Sequence, residues 1–98
     1  MKFTCIFTGQ AQDDLITSVL FEEERHASLG KKFLDCVTET AETICKSPLG
    51  YENKYKSTRE KKVNKFPYLL IYTVEKNIVY VHAIFPAKQN PEKKYGSL

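Results

Sequence analysis

Apolar and polar positions alternate from the start of the chain. Phe3, Cys5 and Phe7 fall on one side of an extended backbone and Thr4, Ile6 and Thr8 on the other. That period of two predicts a strand over 2–8 covered on at least one face. At Gln10 the period lengthens: Ala11, Leu15, Ile16, Val19 and Leu20 recur at helical spacing with Gln12, Asp13, Thr17 and Glu24 between them. This predicts an amphipathic helix ending near Arg25 and His26, with Asp13 and Asp14 in its first turn, where carboxylates favour the helix dipole. Ser28 is placed to cap a second helix, whose stripe of Leu29, Phe33, Val37, Ala41 and Ile44 follows at steps of three and four. Ser47-Pro48-Leu49-Gly50 stops it. The link from Ala27 to Gly30 is so short that the two helices must fold back as an antiparallel hairpin, and both stripes then need a sheet to cover them.

The second half supplies that sheet. Phe66 to Val74 and Ile78 to Phe85 are β-branched, aromatic and aliphatic runs joined across Glu75-Lys76-Asn77, which predicts a tight hairpin with Asn77 as the residue able to take positive φ. Pro67 places a strand start or a bulge beside it. Lys54 to Ser57 and Glu60 to Lys65 are more polar and predict two shorter strands or a ragged hairpin, while the polar tail after Pro86 is expected to be mobile. The fold class is therefore α+β in the order β-α-α-β-β-β, with one extra short strand allowed: an N-terminal strand, an antiparallel α-hairpin, then a mostly antiparallel sheet.

With 98 residues the chain can bury one core and not two, so 1–98 is expected to be a single domain. Apolar runs such as Val79 to Val81 fall far short of the roughly 18 residues of a membrane span. Gln10, Gln12, Asp13 and Asp14 follow the first strand too soon for a secretory segment, which points to a cytoplasmic protein. Cys5, Cys36 and Cys45 match no zinc or redox spacing and are expected to be reduced. Cys36 and Cys45, nine residues apart, belong on opposite faces of one helix. Glu22-Glu23-Glu24 points around a helix as a solvated face, and His82, between Val81 and Ala83, is expected to be a hydrogen-bonded structural imidazole. His26 and His82 have no third metal-ligand partner, so neither metal nor cofactor is expected.

The charge is uneven. Residues 1–53 carry a net −4 and residues 54–98 a net +7, which suggests that the C-terminal half faces phosphates or an acidic protein. Its densest part is Lys54, Lys56, Arg59, Lys61, Lys62 and Lys65, with Tyr51 and Tyr55 adjacent; Lys88, Lys93, Lys94 and Tyr95 follow the last strand. Cations with neighbouring aromatics suit single-stranded RNA, whereas lysines on an edge strand equally serve to block aggregation.

Several pieces in order carry a resemblance: Ala11-x-x-Asp14-Leu15, Leu29-Gly30-x-x-Phe33-Leu34, Ile44-x-x-Ser47-Pro48, Arg59, Lys65-Phe66-Pro67-Tyr68-x-x-x-Tyr72, and Val81-x-Ala83-Ile84-Phe85 leading to Asn90-Pro91. In their order and spacing the chain resembles the RelE/ParE superfamily of toxins from type II toxin–antitoxin modules, from Phe3 to Tyr95. The resemblance implies the same β-α-α-β-β-β fold, a cognate acidic antitoxin as partner and, with it, a homodimer or a hetero-oligomer. It also implies one of two activities, of which mRNA cleavage on the ribosome is the expected one and inhibition of DNA gyrase or another protein target the alternative. RelE-like members cleave mRNA in the ribosome without a metal, and on that reading Lys54, Lys56, Arg59, Lys88 and Tyr95 are the catalytic candidates, with Lys61, Lys62, Lys65 and Gln89 binding RNA. Many members carry a His and an Arg pair after the last strand, where this chain has Pro86, Lys88 and Gln89. ParE-like members share the fold, lack that site and inhibit DNA gyrase. Leu20 and Phe21, surplus to the first helix's stripe, are the expected antitoxin contacts.

Overall fold

A computed structural model describes residues 2–50, 53–55 as backbone, and 57–87. Its elements are β1 (Thr4–Phe7), α1 (Gly9–Arg25), α2 (Leu29–Lys46), a 3-10 turn (Pro48–Gly50), β2 (Asn53–Tyr55), β3 (Thr58–Lys62), β4 (Tyr68–Glu75) and β5 (Ile78–Pro86). The α+β order is the one expected, and the ragged hairpin is β2 and β3, shifted toward the N-terminus and ending before Val63. The expectation of a mobile tail falls on 88–98, outside the described residues.

The five strands lie in the order β1-β5-β4-β3-β2. β1 runs parallel to β5, with Thr4 opposite Ile78 and Phe7 opposite Val81, and the other pairs are antiparallel. Both helices cover one face. Phe33, Val37 and Ile44 of α2 meet Leu70 and Tyr72 of β4 and Val79 and Val81 of β5, all essentially inaccessible to solvent. Burying each such side chain contributes about 1.5–3 kcal/mol relative to leaving it in water. The Phe33 ring sits edge-on to Phe66 at 5.1 Å and against Tyr68 at 4.8 Å. A register shift between Ile71 and Tyr72, which face Ala83 and Val81, leaves His82 without an opposite residue. The bulge returns Ile84 to the helix-covered core and keeps Ala83 off it.

Five local expectations are corrected. Thr8 is the N-cap of α1, its Oγ1 accepting from the Ala11 N–H at 3.3 Å, so the helix begins at Gly9 and Asp13 and Asp14 fall in the second turn. Ser28 precedes α2 at φ 75° and its side chain makes no cap bond. Glu23 does that work instead, its carboxylate accepting the N–H of Ser28 at 3.1 Å and of Gly30 at 2.9 Å. In the β4–β5 turn the positive φ belongs to Lys76 (56°), the first turn residue, while the Asn77 carbonyl accepts from Thr4 N–H at 3.0 Å and ties the turn to β1. Glu22 is buried rather than solvated, and Ile16 and Leu20 are 60% and 59% exposed rather than in the stripe. The last goes with close approach of the helices: a Cβ on Gly30 would lie 3.1 Å from the Val19 carbonyl oxygen, and the small Ala11 and Ser18 of α1 are buried.

Candidate functional site

The cationic cluster is divided by the strand it occupies. In β3, Arg59 lies opposite Tyr72 and Lys61 opposite Leu70, on the helix-covered side, whereas Lys62 lies opposite Leu69 on the other side of the pleat. Lys61 and Lys62 meet only at the end of the strand, where they line a cleft of about 300 Å³ with Glu39, Thr40 and Thr43 of α2. Lys65 sits beyond it in the β3–β4 loop at φ 70°. That loop is held by the Asn64 N–H donating to Thr40 Oγ1 at 3.3 Å and the Val63 N–H donating to the Tyr68 carbonyl at 2.8 Å. Lys54 belongs to β2, described as backbone, and Lys56, Lys88, Gln89 and Tyr95 lie outside the described residues.

Lys65 reaches a second cleft, of about 660 Å³, where Arg25, Lys32 and Lys65 surround Leu29, Phe66 and Pro67. Its inner neighbour is a polar bridge that sequence reasoning missed. Glu22, only 1% exposed, accepts from Arg25 Nη1 at 2.6 Å and from the Tyr68 hydroxyl at 3.0 Å. Burial and the hydrogen bond to Glu22 push the Tyr68 hydroxyl pKa upward, so it stays a donor. A carboxylate satisfied this way ties α1 to β4 and is not available as a general base. His82 is likewise engaged, its Nε2 2.7 Å from Thr73 Oγ1, and burial pushes its pKa down. The structural reading of this imidazole stands. Among the described residues no group of three His, Cys, Asp or Glu side chains could hold a metal ion.

The free edge of the sheet presents a different surface. β1 pairs only with β5, and alternation along a parallel strand turns the main-chain N–H groups of Cys5 and Phe7 toward the open edge. Beside that edge is an apolar groove of about 360 Å³, formed by Phe3 just before β1, Cys5 and Phe7 of β1, Leu15 of α1, and Leu34, Val37, Ala41 and Cys45 of α2. On α2, Leu34 and Cys45 extend the core stripe sideways from Val37 and Ala41, at helical spacing that is present in the sequence. On α1, Ile16, Leu20 and Phe21 are more than half exposed. Exposed apolar side chains and an open strand edge suit contact with another polypeptide. No helix among the described residues is long and apolar enough to cross a membrane.

The model of a family described as the ParE toxin of the type II toxin–antitoxin system, parDE, matches residues 5–91. A solved structure titled as the chromosomal ParDE TA system from P. aeruginosa superposes with a TM-score of 0.79 at 11% identity, covering 89% of this chain and 98% of the other. At that identity the likeness is one of fold. A search of curated proteins finds no match to the chain.

Proposed function

The chain belongs to the ParE toxin family of type II toxin–antitoxin systems, and from that premise we propose that it arrests growth by binding a protein target, DNA gyrase, rather than by cutting mRNA. The family match over residues 5–91 carries this reading. The geometry supports it in two ways. The buried Glu22 and the bonded His82 are both committed to structural partners. Cleavage by the ribose 2′-OH would instead require a base at that hydroxyl and cations converging on one phosphate. Two open surfaces are apolar: the groove beside β1 and the α1 positions Ile16, Leu20 and Phe21.

An antitoxin is the expected partner of a toxin of this family, and the β1 groove suits an extended antitoxin segment. Such a segment would pair with the open edge and place alternate side chains between β1 and α2. An acidic chain leaving the groove would find the C-terminal half, net +7 over residues 54–98.

Expression of the chain alone in a bacterial host tests the reading. Growth arrest with a DNA-damage response, relieved by the antitoxin and retained in Tyr95→Phe, is the expected result. Arrest with intact DNA and mRNA cut on the ribosome would replace it with the RelE-like reading, in which Lys54, Lys56, Arg59, Lys88 and Tyr95 act on RNA.

A further inference from the structure

Cys5, in the strand ahead of the α-hairpin, and Cys45, at the hairpin's end, both line the β1 groove. Cys5 is held in the middle of β1 by its register opposite Val79, and Cys45 is in the last turn of α2. The two thiols are near enough to influence each other, both are partly accessible, and neither is in a disulfide. The third thiol, Cys36, is buried in the core, half a helical circumference away from Cys45 on the same helix. Two of the three thiols thus share one solvent-open groove and the third is sequestered.

We propose that Cys5 and Cys45 are a modification site: a vicinal thiol pair that a small disulfide oxidant of the glutathione type converts to an intramolecular disulfide across the groove floor. The step balances as thiol–disulfide exchange. The Cys45 sulfur, deprotonated, attacks one sulfur of the oxidised glutathione, the S–S bond breaks and one glutathione leaves as thiolate. Cys5 then loses its proton to solvent and attacks Cys45 in the mixed disulfide, releasing the second glutathione. Two protein thiols are oxidised and one glutathione disulfide is reduced to two thiols. The order follows from the surroundings. Burial, with the nearby Cys45 adding to it, pushes the Cys5 thiol up to about 12, so Cys5 is the poorer first nucleophile and serves as the resolving thiol. The closed ring would contain all of α1 and nearly all of α2, a long loop whose closure restricts the unfolded chain.

Incubation of the full chain with oxidised glutathione, followed by intact mass and peptide mapping without reductant, tests the proposal. The expected product has lost two hydrogens, carries a Cys5–Cys45 link, and melts several degrees higher than the reduced protein, with dithiothreitol reversing the change. Its formation should accelerate with pH. Cys36→Ser should react as the unaltered chain does. Cys5→Ser should stop at a persistent glutathione adduct on Cys45, and Cys45→Ser should leave Cys5 unmodified under the same conditions. A persistent adduct on the unaltered chain, a link involving Cys36, or unchanged thiols in a folded sample would each overturn the assignment. The melting comparison uses the unaltered chain, so the test does not depend on the variants folding.

Discussion

The carboxylate of Asp14 accepts the backbone N–H of Ile84 at 3.0 Å, linking the second turn of α1 to a strand seventy residues away in sequence. Pairing between β1 and β5 ends at Phe7 and Val81, so the N–H of Ile84 lies beyond the reach of β1. Asp14 takes the place of the missing strand. Gln10 Nε2 steadies the carboxylate by donating to its other oxygen at 2.8 Å. The pair fixes how α1 sits beside β5 and hence where the groove beside β1 opens.

Asp14→Ala should therefore destabilise the fold by about 1–2 kcal/mol, the cost of leaving a partly buried backbone donor unpaired. Asp14→Asn, which keeps an acceptor, should cost less than half of that. Urea unfolding of both variants under one set of conditions measures the difference.

Glu22 is the second long-range tie. Glu22→Ala leaves the Tyr68 hydroxyl and the Arg25 guanidinium without their partner and should cost about 3 kcal/mol. Glu22→Gln can still accept from Tyr68 and should be milder, and the double variant Glu22→Leu with Tyr68→Phe should recover part of the loss by removing both polar groups. Failure of the double variant to improve on Glu22→Ala would mean that packing, not polar satisfaction, sets the cost.

Stability should fall as the pH drops below about 6.5, the ordinary value for histidine, because burial holds the His82 pKa below it. Across that window the folded chain binds fewer protons than the unfolded chain, so acid favours unfolding. His82→Gln, which can still bond Thr73, should flatten this part of the profile in thermal melts between pH 7.5 and 5.5. An equal slope in the variant would assign the effect to other groups.

Lys65 occupies the left-handed region at φ 70°, where a side chain costs on the order of 1 kcal/mol. Lys65→Gly relieves that strain while freeing the unfolded chain, so its net effect should be small and stabilising, whereas Lys65→Val should destabilise by at least 1 kcal/mol. Equilibrium denaturation of the two variants decides it.

What was legible in the sequence follows from which interactions leave a period. The stripe from Leu29 through Phe33, Val37, Ala41 and Ile44 packs against a sheet along its whole length, so burial writes itself as spacing. The runs of β4 and β5 were readable for the same reason. Glu22 was not, because its burial rests on one hydroxyl in β4 and one guanidinium a turn away, and a single long-range contact has no period. Asp14 was assigned to the helix dipole because the cap at Thr8 set the start of α1 earlier than the apolar pattern did. The lysine cluster is dense along the chain, yet adjacent strand residues point to opposite sides, so Lys61 and Lys62 come together only in the cleft at the end of β3. Family membership was legible because many weak pieces kept their order, while the choice between two branches of one fold depends on side chains that the fold itself does not dictate.

The central claim is that the chain acts on gyrase and leaves mRNA whole. Purified toxin is added to DNA gyrase with relaxed plasmid and, in parallel, to ribosomes translating a defined mRNA, each with and without antitoxin. The account predicts inhibited supercoiling with accumulation of cleaved DNA, reversed by antitoxin, and an uncut message. Cleavage of the message on the ribosome with gyrase unaffected would contradict it.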